Sequence, residues 1–175
     1  MAEVLDVIDK NGNVIGRATR EECHEKGLLH KTASIFVFKD DSKKEILLMR
    51  RSSKSDQDAG RYCHIGGHVP SGQSYEEAAR RELNEEIFYG HIMSKEIKFE
   101  AVSQHMYNDL PNNFEMTKLF YAIHPGPFFP DPFESSGELK FFDMDGLLAE
   151  IKNNPEKFTN AFRLNLEEYF RVMGR

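Results

Sequence analysis

The stretch Gly66-Gly67-His68-Val69-Pro70-Ser71-Gly72-Gln73-Ser74-Tyr75-Glu76-Glu77-Ala78-Ala79-Arg80-Arg81-Glu82-Leu83-Asn84-Glu85-Glu86 governs how the rest of the chain is read. Its second half has the pattern of a helix opened by a capping box, with Ser74 as the cap and Glu77 reaching back three residues later. At roughly 100° per residue, Glu82, Glu85 and Glu86 fall within an arc of about 100° on that helix. Ala78 and Ala79 lie one turn earlier on the same side and leave room above the carboxylates. The pairs Glu82–Glu85 and Glu82–Glu86 repel, each costing about 0.2–0.5 kcal/mol on a bare helix. A divalent cation reverses that sign, and an oxygen-rich, partly open set of ligands suits Mg²⁺. The bland alternative is an acidic face turned to water. The glycine-rich segment just before the helix favours the cation, because backbone can approach a metal or phosphate closely there.

Outward from this stretch, the patterning predicts several strands and a few helices. Asn11-Gly12 between Val4–Ile8 and Asn13-Val14-Ile15 predicts an N-terminal hairpin. A short helix is expected over 19–26 with Gly27 as its stop. Strands are expected near 32–38, 46–51, 96–103, 114–123 and 138–142, and residues 52–73 read as loop. The glutamate helix should run to about Phe88, with Gly90 available to end it. The last helix is expected to start at Asn154-Pro155. Its buried face would carry Phe158, Phe162, Leu166, Tyr169, Phe170 and Met173. Strands mixed with three or four helices imply an α/β or α+β layered sandwich.

With 175 residues the chain can build one core, so a single domain over 1–175 is expected. Its 23 Lys+Arg against 29 Asp+Glu give a net charge of −6. That balance argues against a nucleic acid polymer as partner, since counterion release needs a basic footprint. A small anionic substrate is compatible with it if a cation mediates. The longest apolar run, Ala33–Phe38, is far short of the roughly 20 residues that span a bilayer, so no membrane partner is expected. Two cysteines are too few for a disulfide scaffold, and a cytoplasmic protein with free thiols is expected.

The glycine loop and glutamate helix together resemble the signature of the Nudix hydrolases, Gly-x5-Glu-x7-Arg-Glu-U-x-Glu-Glu-x-Gly-U, where U is bulky and aliphatic. Gly67, Arg81, Glu82, Leu83, Glu85 and Glu86 match, while Gln73, Phe88 and Tyr89 depart from it over residues 67–89. The resemblance implies a Nudix α/β/α sandwich, a mixed sheet between helices, preceded here by the N-terminal β-hairpin and short helix of about 1–31. It implies hydrolysis of a nucleoside diphosphate derivative, with Mg²⁺ or Mn²⁺ held by Glu82, Glu85, Glu86 and the Gly66 carbonyl. Such metals polarise phosphoryl oxygens and activate water. Glu115 is the candidate for a further catalytic carboxylate from outside the signature.

Asp6-Val7-Ile8-Asp9-Lys10-Asn11-Gly12, Arg20-Glu21-Glu22-Cys23-His24 and Arg50-Arg51-Ser52-Ser53-Lys54 resemble one branch of that family, which contains the isopentenyl diphosphate isomerases. Arg50, Arg51 and Lys54 are therefore candidates for substrate binding. Arg50 and Lys54 correspond to residues that the isomerases use on diphosphate. The histidine-rich metal site of the isomerases corresponds to His24, His30 and His68, with Glu115 as one of its two glutamates and Asn113 in place of the other. The catalytic cysteine of the isomerases corresponds to Gly66, with Cys63 three residues earlier. Hydrolysis is therefore the leading expectation, with isomerisation and a decayed nucleotide-binding domain as alternatives. Tyr62, Tyr107, Phe114 and Phe128 are the aromatic side chains available to stack on a base. The N-terminal hairpin offers an edge that a second copy can pair with in a homodimer.

Overall fold

The structure is a computed structural model that describes residues 2–52, 58–89, 91, 97–108, 112–131 and 135–174. The central strand is β3 (His30–Phe38), and its alternation sets the layers. Ala33, Ile35 and Val37 point to one side, where they meet Ala78, Ala79, Leu83 and Ile87 of the glutamate helix region. Phe36 and Phe38 point to the other, against Leu147, Phe162, Leu166 and Tyr169. Side chains of period two on a strand buried on both faces thus produce a sheet with helices on each side. The expected α/β sandwich is what the chain forms.

Around β3 the sheet is mixed. β1 (Val4–Ile8) pairs antiparallel with β2 (Val14–Thr19) and with the start of β3. At the far end of β3, β4 (Glu45–Arg51) pairs antiparallel with it and also with the later strand at Ser135–Asp143. The two short strands β5 (Tyr62–Cys63) and β6 (Ile65–His68) pair with β4 and β3 respectively. After α2 (Tyr75–Glu86), β7 (Lys98–Asn108) pairs antiparallel with β8 (Phe114–Ile123), and β8 runs parallel to β3. β9 is the strand at Ser135–Asp143; α3 (Met144–Asn153) and α4 (Asn160–Met173) complete the fold. No described helix is long and apolar enough to cross a membrane.

Several boundaries differ from the sequence expectation for identifiable reasons. Residues 62–68, expected as loop, are extended because β6 pairs along β3 from Ile65 to His68. The glutamate helix stops at Glu86, two residues early, because the carbonyls of Glu86 and Ile87 accept the N–H groups of Asp131 and Phe129. Gly90, the expected stop, lies outside the described residues. The last helix starts at Asn160, since Thr159 caps it through its hydroxyl; Pro155 opens only a single 3-10 turn. Phe158 is buried but sits before that helix, in a bridge to Tyr62, and Met173 at the other end is exposed. Helix α3 was not expected from the sequence, although Met144, Leu147, Leu148 and Ile151 recur at helical spacing. Asp143 caps it by accepting from the Gly146 N–H.

Candidate active site

Helix α2 carries its carboxylates where a helix tolerates them least. Glu82, Glu85 and Glu86 occupy the final turns, where the helix dipole is negative and no basic residue of the last turn compensates. Arg81 supplies the local countercharge. Its Nη2 donates to Glu82 Oε1 at 2.6 Å and to the His68 carbonyl at 3.1 Å, and its Nη1 donates to Glu85 Oε2 at 2.7 Å. Glu82 and Glu86 are both buried, and the Gly66 N–H donates to Glu86 Oε2 at 3.3 Å. Burial pushes the Glu82 carboxyl up to about 7, with Glu85 adding to the rise and Arg81 opposing it. A carboxylate held in that condition is one a cation would stabilise.

The adjoining glycines let backbone and carboxylates approach. A Cβ on Gly67 would lie 2.5 Å from Glu82 Oε1, so only glycine leaves that oxygen its place. These residues border a pocket of about 400 Å³ that also takes in Arg20, Arg51, His24, His68 and Glu115.

At one end of that pocket His24, His30, His68 and Glu115 bring a ligand atom each to within 4.8 Å of one another. Four elements deliver them. His24 is on α1 (Arg20–Lys26), which Thr19 and Glu22 close with a reciprocal cap and Gly27 ends in the left-handed conformation. The parallel register of β3 and β8 sets His30 beside Glu115, and the antiparallel register of β3 and β6 sets Thr32 beside His68. The three imidazole centroids are each 5.2 Å from the other two. His30 is fully buried; its Nδ1 lies 2.8 Å from the Leu28 carbonyl and so carries the proton. Its Nε2 is then a lone pair, and it has no protein partner.

His24 Nε2 and His68 Nε2 are 3.2 Å apart, and burial lowers the pKa of both rings, most strongly at His68. Glu115 accepts from Thr32 Oγ1 at 3.1 Å and from Asn113 Nδ2 at 2.9 Å, which orients its carboxylate. Neutral imidazoles, one carboxylate and outer-shell hydrogen bonds form a donor set that fits a zinc-like transition ion. The cluster was readable in the sequence only through the isomerase resemblance, because its members are far apart along the chain.

The candidate cations separate. Arg51 borders the glutamate pocket. Arg50 alternates to the opposite face of β4, where Nε donates to the Gly60 carbonyl at 3.0 Å and Nη1 reaches Glu138 at 3.4 Å. There it lines a different cavity, of about 730 Å³, together with Tyr62. Lys54 lies outside the described residues. Of the aromatic candidates only Tyr107 borders the glutamate pocket. Phe114 packs on Gly27, and Phe128 lies among Phe88, His124 and Phe141.

Arg20, Asp58 and Asp131 also line the pocket, and no spacing rule in the sequence pointed to them. Cys63 is at the wall, but burial raises its thiol to about 12, so it is not a nucleophile there. Of the departures from the signature, Gln73 leaves its buried Oε1 without a partner, and Phe88 is buried in the core.

A sequence profile described as the NUDIX domain matches residues 28–162. "Isopentenyl-diphosphate Delta-isomerase 2" of Photorhabdus laumondii is 34% identical over 171 residues, covering 93% of this chain and 90% of that protein. An "uncharacterized Nudix hydrolase" of Streptomyces coelicolor is 27% identical over 165 residues, covering 93% and 88%. The crystal structure of DR0079 from Deinococcus radiodurans superposes with a TM-score of 0.77 at 20% identity, covering 95% of this chain and 99% of that one.

Proposed function

The chain belongs to the Nudix family, and from that membership we propose that it is a divalent-metal-dependent hydrolase of the diphosphate bond in a nucleoside diphosphate derivative or similar organic diphosphate. The observation that carries this reading is the buried pair Glu82 and Glu86, set beside exposed Glu85 and against the backbone of Gly66 and Gly67. Glu82, Glu85 and Glu86, with the Gly66 backbone, would hold Mg²⁺ or Mn²⁺. Such an ion supplies charge to the phosphoryl oxygens and lowers the pKa of bound water.

The chain's own residues prepare that chemistry. Arg81 clamps Glu82 and Glu85 and ties both to the His68 carbonyl, so the carboxylates face the pocket in fixed orientation. Gly67 gives Glu82 its space. Arg51 and Arg20 border the same pocket and can offset the charge of a diphosphate by bidentate hydrogen bonding. The Glu86→Gln variant should fold normally and lose at least a hundredfold of the Mg²⁺-dependent release of phosphate-containing product. Wild-type turnover in this variant would sink the reading.

The quartet His24, His30, His68 and Glu115 supports a second reading, an isomerase of prenyl diphosphates like the named relative. Against it stands Gly66, at the position of the isomerases' catalytic cysteine. Its φ is +154°, and a Cβ there would lie 2.3 Å from the Ala33 carbonyl oxygen. A thiol cannot occupy that position in this backbone, and moving the double bond of an alkene needs both an acid to protonate one carbon and a base to deprotonate another. Conversion of isopentenyl diphosphate to its allylic isomer would favour the isomerase over the hydrolase.

A further inference from the structure

A second cavity, of about 730 Å³, opens on the other face of β4 from the glutamate pocket. Its volume lies within the roughly 300–1,000 Å³ of small-molecule sites. The floor is aromatic. The half-buried rings of Tyr62 and Phe142 meet edge to face with 5.0 Å between centroids, and both pack on buried Phe158. The rim is charged, with Arg50, Arg61, Lys140 and Lys157 lining the cavity against Glu150 and Glu156. In a chain of net charge −6, that concentration of cations runs against the overall sign.

The cations of the rim are within reach of an incoming anion. Arg50, Arg61 and Lys157 pair with Glu138, Asp58 and Glu150, but their side chains are 49%, 43% and 51% exposed. Ion pairs so open to water are weak and exchange partners readily. Glu138 is also engaged by the Tyr62 hydroxyl, which donates to its Oε1 at 2.5 Å. Lys140 is exposed and has no ion pair among the described residues; its Nζ rests 5.0 Å from the centroid of the Phe142 ring. An exposed ammonium beside aromatic rings offers a planar anion two contacts at once, charge for its anionic group and stacking for its ring. A bare anion would use only the first, and an uncharged ring only the second.

The two cavities share one wall. Neighbouring residues face opposite ways along it: Arg50, Tyr62 and Phe158 line the second cavity, while Arg51, Cys63 and Thr159 line the glutamate pocket. Backbone hydrogen bonds stitch the wall together. The Thr159 N–H donates to the Tyr62 carbonyl at 2.9 Å, and the Arg51 N–H donates to the Arg61 carbonyl at 2.9 Å. A ligand that moves Tyr62 or Phe158 therefore moves residues of the glutamate pocket joined directly to them. We propose that the second cavity is an effector site for a small aromatic anion, a planar ring carrying a phosphate or a carboxylate, and that its occupancy alters the glutamate pocket. Binding at the cavity stands apart from hydrolysis; the coupling rests on the reading of Glu82, Glu85 and Glu86 as the metal site.

Amide shift mapping by NMR on the full chain tests the site with AMP, benzoate and inorganic phosphate. EDTA is present, so that no metal draws the anions to the glutamates. AMP, benzoate or both should shift the amides of Gly60, Tyr62, Lys140 and Phe142 saturably, and the pattern tells a nucleotide from an aromatic acid as the source. Inorganic phosphate should not saturate at the same concentrations. Lys140→Glu should weaken the binding about tenfold and Lys140→Arg should restore most of it, with the spectrum of each variant reporting its fold. Shifts centred on Gly66, Gly67 and Glu86, no saturable shift with either ring, or phosphate binding as well as both overturns the site. For the coupling, Mn²⁺ is titrated with and without the ring anion that maps to the cavity. Its affinity should change about threefold or more in the wild type, and the anion's affinity by the same factor, as reciprocity requires. Lys140→Glu should show no such change. Unaltered Mn²⁺ affinity with the cavity filled overturns the effector role. Mn²⁺ binding that is indifferent to Glu86→Gln sinks the metal-site reading and the coupling with it, while the shift map still decides the cavity.

Discussion

Two adjacent glycines do different work at the site. A Cβ on Gly67 meets the far end of the Glu82 side chain, with Oε1 at 2.5 Å and Cδ at 2.7 Å. That carboxylate can move aside, so Gly67→Ala should keep the fold and lower Mn²⁺ affinity about tenfold, or about 1.4 kcal/mol. A Cβ on Gly66 meets backbone, the Ala33 carbonyl oxygen at 2.3 Å, from a φ that side chains rarely adopt. Gly66→Ala should therefore cost about 2–4 kcal/mol of stability, because β3 or β6 has to shift. Thermal melts combined with Mn²⁺ titration separate the two effects. Wild-type metal affinity in Gly67→Ala would remove Glu82 from the metal site. The glutamates and Arg81 were legible in the sequence because a helix fixes their spacing by local geometry. The division of Arg50 from Arg51 follows from strand alternation, but which face holds the pocket is set by β6 and α2.

Helix α2 has to hold like charges at its negative end, so its beginning matters. Ser74 Oγ accepts the Glu77 N–H at 3.2 Å while Glu77 Oε2 accepts the Ser74 N–H at 2.8 Å. Breaking this reciprocal cap with Ser74→Ala should cost about 1 kcal/mol. In a chain of this size that lowers the melting temperature by about 2–4 °C. Circular dichroism melts check it, and an unchanged midpoint would show that tertiary packing alone holds the helix. The cap was readable because it depends on residues three apart. Strands β5 and β6 were hidden for the opposite reason. Gly66 and Gly67 have no strand propensity of their own, and they are extended because β3 supplies their hydrogen-bond partners.

At the scale of the whole molecule, the pocket places two ligand sets side by side, one on α2 and one shared by α1, β3, β6 and β8. They should be separable by metal content. Protein purified without chelator is expected to carry about one transition ion per chain at the histidine set. His30→Ala should lose it, because the unpartnered Nε2 disappears, while Glu86→Gln should retain it. Elemental analysis of the three proteins decides the matter. Equal content in wild type and His30→Ala would remove the histidine set as a metal site.

The sequence by itself determined the glutamate face, its cap, the hairpin turn and an apolar strand near 32–38, since each is a relation between residues a few positions apart. It also carried the family through the spacing from Gly67 to Glu86. Only the tertiary structure decided that His24, His30, His68 and Glu115 meet, and that Arg51 and not Arg50 borders the pocket with Thr159 and Asn165 of the last helix region. Those relations depend on the register of β3 with β6 and β8 and on the docking of α4. Strand register and helix docking are fixed by burial of side chains across the whole core, which no local stretch of sequence encodes.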